Sequence, residues 1–384
     1  MVSAITRSHV AAAAGLEQRA TRIVFFITGV GMAAWAPLVP FAKARVGIQE
    51  GGLGLLLLCL GVGSIVAMPV AGALAARMGC RSVTAGAATL LCVALPMLAS
   101  VSSLPLLVVA LFVFGAGMGA IDVAMNIQAI IVERASGRRM MSGFHGMFSL
   151  GSIAGAGSVV ALLSAGASPL GATLVVAACI IVALAIAVPF LRVDGGGSAG
   201  PIFAVPRGIV LCIGVLCFVA YLAEGAVLDW SAVFLTSVHG MATAYAGLGY
   251  AAFALAMTIG RLTGDRVVRL VGGSNIILFG GICAAAGFGV STLLHSWPMA
   301  LLGYALAGVG CANIVPVLFT GVGRQTVMAE NVAVPAITTL GYAGILVGPA
   351  AIGFVAHAAS LSAAFLILAM LLLGVAASGR MLRL

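Results

Sequence analysis

The sequence predicts an all-α membrane protein with twelve transmembrane helices, arranged as two pseudo-repeats of six. Three observations support this prediction. Of the residues, 63% are hydrophobic and only 7% are charged, whereas soluble domains carry about a quarter charged residues. Apolar runs of about 20 residues, long enough to cross a bilayer, recur along the chain, and the two halves of the chain repeat each other. Helices are expected because lipid offers no hydrogen-bonding partner to an exposed backbone.

The longest polar connection lies at the middle of the chain. It reads "RVDGGGSAGPIFAVPR" and occupies residues 192–207. It predicts an N-terminal six-helix bundle over 1–191, a cytoplasmic linker over 192–207 and a C-terminal six-helix bundle over 208–384. The expected spans are 22–42, 52–76, 82–101, 105–132, 141–166, 169–191, 208–235, 243–263, 274–294, 298–321, 332–357 and 360–379.

An internal repeat supports this division. "GMGAID", which ends at Asp122, matches "GVGCAN", which ends at Asn313, with an offset of 191 residues. The intervals from Asp122 to Glu133 and from Asn313 to Arg324 are both 11 residues. Two parallel repeats that enclose a site near the bilayer midplane are typical of many secondary transporters.

The basic residues predict the orientation of the spans. With these boundaries, all but two of the 18 Lys and Arg residues, Arg261 among them, fall on the side of the termini, whereas Lys43 and Arg45 fall on the opposite side. By the positive-inside rule, both termini are then cytoplasmic. The charges form no stripe interleaved with aromatic residues, so we expect no nucleic-acid partner.

Several classes of function are disfavoured by missing motifs. The only lysine is Lys43, on the outer side, so the chain has no Walker A loop and is not an ATP-driven pump by itself. The eight cysteines form no CxxC pair, and no HExxH pattern occurs. We therefore expect neither a metal nor a cofactor, and no enzymatic activity.

The fourth span contains an unusual polar face. On a helical wheel, Gly115, Gly119, Asp122, Asn126 and Glu133 share one narrow face. Acids inside a membrane mark ion or substrate paths by default. The pattern therefore predicts that Asp122 carries a proton and that Asn126 contacts the substrate. The alternative is a structural pair, in which Asp122 bonds Asn126 or a neighbouring helix.

Further candidates lie on the first, seventh and tenth spans. Glu224 lies about 24 Å from the cytoplasmic start of its span and is a second candidate for proton coupling, with Tyr221 on the same side as a candidate substrate contact. Asn313, the repeat counterpart of Asp122, offers a permanent hydrogen-bonding group to the substrate, although it is equally explained by drift. Trp35 is a candidate stacking platform, a helix-packing residue or an interface anchor.

The fifth span begins with a polar stripe. His145 and Ser149 are four residues apart and share one face. His145 is a candidate proton relay, a gate residue or a hydrogen-bonding group at the helix end. Ser149 is a candidate substrate contact.

Two cytoplasmic connections, "GALAARMGCRS" and "GDRVVRLVGGS", share a Gly-Arg-Gly spacing. Arginines at these positions can pair with helix C-terminal carbonyls and with acids, forming a latch that breaks when the halves rock. The positive-inside rule alone explains the charge but not the spacing. The candidate gating residues are Arg77, Arg81, Glu133, Asp265, Arg266 and Arg269.

The whole chain resembles the major facilitator superfamily. "GMGAIDVAMNIQAIIVE", "FHGMFSLGSIAGAG", "AEGAVLDWSAVFL" and "GVGCANIVPVLF" resemble a bacterial branch related to fucose:proton symporters, whose fourth helix carries an acid followed four residues later by Asn. The resemblance implies the major facilitator fold, with Asp122 as the proton-linked acid.

The expected function is that of a monomeric transporter in the bacterial inner membrane. It would move a small polar solute, sugar-like or another metabolite, across the lipid bilayer by alternating access, coupled to protons. One alternative is proton-driven efflux of amphipathic compounds. Another is a membrane sensor on the same fold that transports nothing.

Overall fold

Helices form all the long regular segments of the chain. The computed structural model describes residues 2–47, 50–195 and 205–380, and these ranges contain no β-strand. Short 3-10 helices span Ala36–Leu38, Val188–Phe190 and Thr243–Tyr245. The α-helices in these ranges are α1 Val2–Ala34, α2 Val39–Val46, α3 Glu50–Ser100, α4 Leu104–Ser136, α5 Met141–Ser164, α6 Pro169–Ala187, α7 Ile209–Ser237, α8 Leu248–Val271, α9 Gly273–Leu293, α10 Trp297–Cys311, α11 Ile314–Val322, α12 Glu330–Ala358 and α13 Leu361–Ser378.

The helices have the length and composition of membrane spans. Within the described ranges, ten helical stretches are long and apolar enough to cross a bilayer, so the protein is a multi-pass membrane protein. The described structure therefore does not confirm the predicted count of twelve. One of the ten, Leu58–Ser100, has 43 residues. α8 carries four charged side chains and is not among them.

Gly79 interrupts α3 between the two spans predicted at 52–76 and 82–101. Its backbone angles, φ 79° and ψ 161°, are not helical, and glycine adopts such a positive φ without a steric penalty. The segment that follows α6 provides hydrogen-bond acceptors for the amides next to this break. Cys80 N–H donates to the carbonyl of Asp194 at 3.1 Å, and Arg81 N–H donates to that of Arg192 at 2.8 Å. α3 therefore consists of two helices that meet at a kink at Gly79, between the two predicted spans.

The described chain divides into two compact units. Unit 1 contains Met1–Arg138, Met147–Val205 and Met328–Ala336, and unit 2 contains Arg139–Gly146, Pro206–Val327 and Ile337–Leu384. The first residues of α5 thus belong to unit 2, and the first residues of α12 belong to unit 1. Residues 196–204 of the predicted linker lie outside the described residues, and so do the side chains of terminal residues 1–13 and 381–384. The division at 192–207 stays a prediction.

Glycines bring helices of unit 1 into backbone contact. A side chain at Gly115 or Gly119 of α4 would collide with the backbone of α3, and one at Gly151 or Gly155 of α5 would collide with that of α1. Ser64 of α3 uses this proximity, because its hydroxyl donates to the carbonyl of Gly115 at 2.8 Å. Small residues at such positions allow helices in a membrane to pack closely.

Aromatic residues form the core of unit 2. The ring of Phe365 on α13 lies 4.9 Å from that of Phe234 on α7, 5.6 Å from Phe288 on α9 and 6.4 Å from Tyr304 on α10. All four side chains are fully buried. Such pairs contribute stability beyond the area that they bury, so α7, α9, α10 and α13 form a well-packed scaffold for the polar groups of the unit.

Arg45, at the end of α2, caps the end of α3. Its Nε donates to the carbonyl of Val101 at 2.7 Å, and its two Nη atoms donate to those of Ala99 and Leu98 at 2.7 and 2.6 Å. Leu98 and Ala99 lie in the last turn of α3, where carbonyls have no partner within the helix, and Val101 directly follows the helix. A cation at a helix C-terminus is also favoured by the helix dipole. A structural role therefore explains why this arginine stands apart from the other basic residues.

We expect Arg45→Ala to destabilise the protein, because three terminal carbonyls lose a charged donor. Hydrogen bonds to charged groups contribute about 1.5–3 kcal/mol each, so the melting temperature of the purified protein should fall by several degrees. Arg45→Lys keeps the charge but cannot bridge three carbonyls, and it should lie between the two. A melting temperature of Arg45→Ala equal to that of wild type would show that the cap contributes nothing.

Candidate functional site

Asp122 and Asn126 form a buried polar pair on α4. The Asn126 amide nitrogen donates to the backbone carbonyl of Asp122 at 2.8 Å and to its Oδ1 at 3.1 Å. Asp122 is 7% exposed and Asn126 is 1% exposed. Neither Asp122 Oδ2 nor Asn126 Oδ1 has a hydrogen-bond partner among the described residues. The structure thus contains the predicted hydrogen bond, but it leaves two acceptor oxygens of the pair free.

Trp35 lies in the same unit, directly after α1. Its side chain is buried, and its indole Nε1 has no hydrogen-bond partner in the described part of the chain. A buried indole nitrogen usually has a hydrogen-bond acceptor. Trp35 therefore remains a candidate substrate contact, and its role as a stacking platform stays a prediction.

Glu224 forms an ion pair in unit 2 with a residue that sequence reasoning missed. The guanidinium of Arg261 on α8 lies 2.9 Å from Glu224 Oε1 on α7. The side chain of Arg261 is 7% exposed and that of Glu224 is 20% exposed. Arg261 was counted with the basic residues on the side of the termini, and the structure places it in a buried pair. The sequence contained a signal for this deeper position. Arg261 precedes Arg269 by eight residues on one helix and so lies about 12 Å from it along the axis.

A helix break positions this arginine. The predicted span 298–321 is split into α10 and α11 at Ala312 and Asn313. Pro316 has no N–H to donate to the carbonyl four residues earlier, that of Ala312. Arg261 Nε donates to this carbonyl instead, at 3.3 Å. The break therefore provides an acceptor that holds the guanidinium in place.

Asn313 lies at the same break. Its amide nitrogen donates to the carbonyl of Gly260 on α8 at 3.0 Å. Its Oδ1 has no hydrogen-bond partner among the residues that the structure describes, and it packs against Gly264. Only glycine fits at position 264, because any side chain there would collide with Asn313. The amide is thus fixed by α8, with its acceptor oxygen buried against Gly264.

His145 and Ser149 lie on the same helix but in different units. His145, in unit 2, is buried, and its ring lies 5.7 Å from that of Phe319 on α11. Ser149 is half-buried and belongs to unit 1. The predicted stripe on α5 therefore crosses the boundary between the units. Both proposed roles stay predictions.

Tyr221 lies one turn before Glu224 on α7. Its ring meets that of Tyr342 on α12 edge to face, with 6.3 Å between the centroids. It also packs over Gly341, where a side chain would collide with the ring. Tyr221 is half-buried. Its position near Glu224 in sequence and its partial exposure keep it a candidate substrate contact.

The predicted gating residues have different environments. Arg81 donates to the carbonyl of Leu191 at 3.0 and 2.8 Å and to that of Pro189 at 2.8 Å, just after α6. Asp265 Oδ2 accepts from the backbone N–H of Gly143, in the first turn of α5, at 3.1 Å. Exposed side chains are found at Arg77, Arg266 and Arg269.

The end of α4 meets the start of α12 within unit 1. Glu133 is buried there. Its neighbour Arg134 forms an ion pair with Glu330, the first residue of α12. Sequence spacing gave no signal for this pair, because its members are 196 residues apart. Whether these groups act as a gate stays a prediction.

Known proteins resemble this chain over nearly its full length. Residues 23–326 match the family model of the Major Facilitator Superfamily. An uncharacterized MFS-type transporter of Yersinia pestis is 56% identical over 365 residues, which is 95% of each chain. The membrane protein MosC of Rhizobium meliloti is 32% identical over 344 residues, covering 89% of this chain and 84% of MosC.

Solved structures share the fold at low identity. The human organic anion transporter MFSD10 aligns with a TM-score of 0.77 at 16% identity, over 95% of this chain and 99% of that protein. The E. coli fucose:proton symporter aligns with a TM-score of 0.71 at 17% identity, over 96% and 98% of the two chains. At these identities the likeness is one of fold alone.

We expect Glu224→Leu to destabilise the protein by about 3–5 kcal/mol, because it removes the carboxylate that pairs with the buried guanidinium of Arg261. Arg261→Met should be less harmful, since an unpaired Glu224 can become neutral by taking up a proton whereas arginine cannot lose one. The double variant should be more stable than Glu224→Leu alone. Thermal unfolding of the purified proteins measures all three, and additive effects would show that the two groups are not coupled.

Proposed function

The chain belongs to the Major Facilitator Superfamily. We propose that it is a secondary active transporter that moves a small polar solute across the inner membrane, driven by the proton gradient. It is a transporter and not an enzyme. The proposed mechanism is alternating access, in which two six-helix halves expose a site to each side of the membrane in turn.

The proposed topology has twelve crossings and cytoplasmic termini. Leu58–Ser100 has 43 residues, or about 65 Å of helix, which is twice the thickness of the hydrocarbon layer. We assign two crossings to it, one on each side of Gly79. A further crossing is assigned to α8, whose charges are accounted for in part by the buried pair of Arg261. The chain is proposed to act as a monomer.

Reporter fusions test this topology. Alkaline phosphatase becomes active only in an oxidising compartment, where its disulfides form. Fusions after Ser102 and Gly240 should be active, and fusions after Gly79 and Gly272 should be inactive. A fluorescent protein that folds in the cytoplasm should give the opposite pattern. Equal activity after Gly79 and Ser102 would rule out two crossings in Leu58–Ser100.

Asp122 is the observation that carries the proposal of proton coupling. A carboxylate in an apolar interior is unfavourable unless it is paired or hydrogen-bonded, and Asn126 supports one of its oxygens only. The second oxygen accepts a proton without breaking any bond to a described residue. This arrangement favours a group that loads and releases a proton over a group that only links two helices.

The proposed substrate is a polar solute because amide and hydroxyl groups occur among the candidate contacts. Asn126 and Asn313 each have an acceptor oxygen without a partner in the described residues. Ser149, Tyr221 and Trp35 are the other candidates. Efflux of amphipathic compounds would be favoured instead by a site lined with Phe and Met. A sensor that transports nothing would show no solute-dependent proton flux in liposomes.

A thermal-shift screen identifies the compound to be used in transport assays. Purified protein would be tested against sugars, sugar acids, nucleosides and drugs. A ligand present at 100 times its dissociation constant stabilises the folded protein by about 2.7 kcal/mol, which is enough to raise the melting temperature measurably.

We expect Asp122→Asn to bind this compound and to exchange it across the membrane, but not to accumulate it against a gradient. Asparagine imitates a permanently protonated aspartate at nearly constant shape, so the variant cannot use the proton gradient. Uptake into proteoliposomes with an imposed pH gradient measures accumulation, and counterflow of labelled compound measures exchange.

Glu17→Gln is the matched control for this experiment. It also replaces an acid of unit 1 by its amide, at a partly exposed ion pair with Arg192, and it should accumulate the compound normally. Full accumulation by Asp122→Asn would end the assignment of Asp122 as the proton carrier and would favour the structural pair. Glu224 would then be the next acid to test.

A further inference from the structure

Residues 189–195, which follow α6, form a strap across the kink of α3. The side chain of Arg81 donates to two strap carbonyls, those of Pro189 and Leu191, and two backbone amides beyond the kink donate to two others. A side chain at Gly79 would collide with the backbone of Val193 in the strap. The strap and α3 are therefore in direct backbone contact within unit 1.

Gln128 of α4 joins the strap to two further helices of the same unit. Its Oε1 accepts from the backbone N–H of Arg192 in the strap at 2.9 Å. Its Nε2 donates to Thr21 Oγ1 on α1 at 3.3 Å. Gln128 is 1% exposed, and a buried amide that loses such partners is left with unsatisfied polar groups, which is unfavourable. Both ends of this amide thus hold α4 in place.

Asp122 lies between two points at which α4 is fixed. Seven residues before Asp122, the carbonyl of Gly115 accepts from Ser64 of α3 at 2.8 Å. Six residues after Asp122, Gln128 contacts the strap and α1. On a helical wheel, Gln128 is about 120° away from Asp122. Contacts on different faces, one on either side of Asp122 along the axis, fix the rotation of α4 and with it the direction of the carboxyl group.

We propose that Gln128 is a positioning residue for Asp122, through which the strap and α1 hold the carboxyl group in its orientation. This inference rests on the proposed function, in which Asp122 carries the proton. It adds that the first residues of the central connection belong to the proton site. A rotation of α4 would bring Asp122 Oδ2, which has no hydrogen-bond partner among the described residues, to different neighbours.

The surroundings of Asp122 make it a clear reporter of this orientation. In the described part of the chain, Asn126 is the side chain that acts on Asp122, and no charged side chain does. Asn126 is on the same helix and moves together with Asp122. A change at the free oxygen of Asp122 therefore reports movement of α4 and not the gain or loss of a neighbouring charge.

Infrared difference spectra between alkaline and acid buffers detect the proton on Asp122 in purified protein without any solute. The C=O stretching band of the protonated carboxyl group is the band that is missing in Asp122→Asn. We expect Gln128→Leu to move this band to lower frequency. The reason is that a rotated α4 exposes the free oxygen to hydrogen-bond donors, and a hydrogen bond lowers the frequency of a carbonyl stretch.

Arg192→Pro and Arg192→Ala form a matched pair that leaves Gln128 in place. Both remove the side chain that pairs with Glu17, but only proline also removes the N–H that Gln128 binds. Leu191, with φ −80° and ψ 153°, already has the extended conformation that a following proline requires. We expect Arg192→Pro to move the Asp122 band as Gln128→Leu does, and Arg192→Ala to leave it in place.

Hydrogen exchange shows whether the strap has detached. The backbone amides of Cys80 and Arg81 have their acceptors in the strap. In Gln128→Leu and in Arg192→Pro, we expect these amides to exchange about tenfold faster, as after the loss of a hydrogen bond to a buried group. Amides of α13, in unit 2, should exchange as in wild type.

Two outcomes would overturn the proposal. The first is an Asp122 band that stays in place in both Gln128→Leu and Arg192→Pro while their melting temperatures fall, because Gln128 would then only stabilise the fold. The second is a band that moves equally in Arg192→Ala, because the side chain and not the backbone contact would then be responsible. A wild-type protein without any Asp122 band would instead contradict the proposed proton coupling, so the two failures are distinct.

Discussion

A charge in an apolar interior is energetically unfavourable. This constraint determines where polar groups are found in this protein. Only 7% of the residues are charged, and two acids in the interior have polar groups beside them. Asp122 has an amide one turn away, and Glu224 has Arg261. The same constraint applies to backbone groups. Arg45 and Arg81 donate to carbonyls that follow or end a helix, where no amide of the helix is available.

The backbone groups at the helix breaks are hydrogen-bonded, so the breaks satisfy this constraint. At Gly79, the two amides that follow the break donate to the carbonyls of Arg192 and Asp194. At Ala312 and Asn313, the carbonyl released by Pro316 accepts from Arg261, and the asparagine amide donates to α8. The equivalent stretch of the first repeat, around Asp122, is an unbroken helix. The two repeats thus use the same position differently, one for a carboxyl group and one for a break that holds a cation.

Sequence patterns predicted the elements that depend on local composition. The apolar runs located the helices, and the helical wheel brought Asp122 and Asn126 together. Patterns did not predict partners that are distant in sequence. Arg261 was counted with the basic residues on the side of the termini because its helix was expected to end at residue 263, whereas α8 continues to Val271. The Arg134–Glu330 pair and the Arg45 cap depend on tertiary packing, for which a single sequence carries no periodic signal.

The cap formed by Arg45 also bears on the order in which the first helices assemble during biosynthesis. Its acceptors, Leu98 to Val101, are made more than fifty residues after the arginine itself. During synthesis from the N-terminus, Arg45 therefore emerges long before the carbonyls that it will bind. The guanidinium must remain hydrated until the second half of α3 has been inserted beside it. Closure of the cap thus marks a late step in the assembly of the first three helical segments, and it joins the end of α2 to the end of α3 only when both are in place.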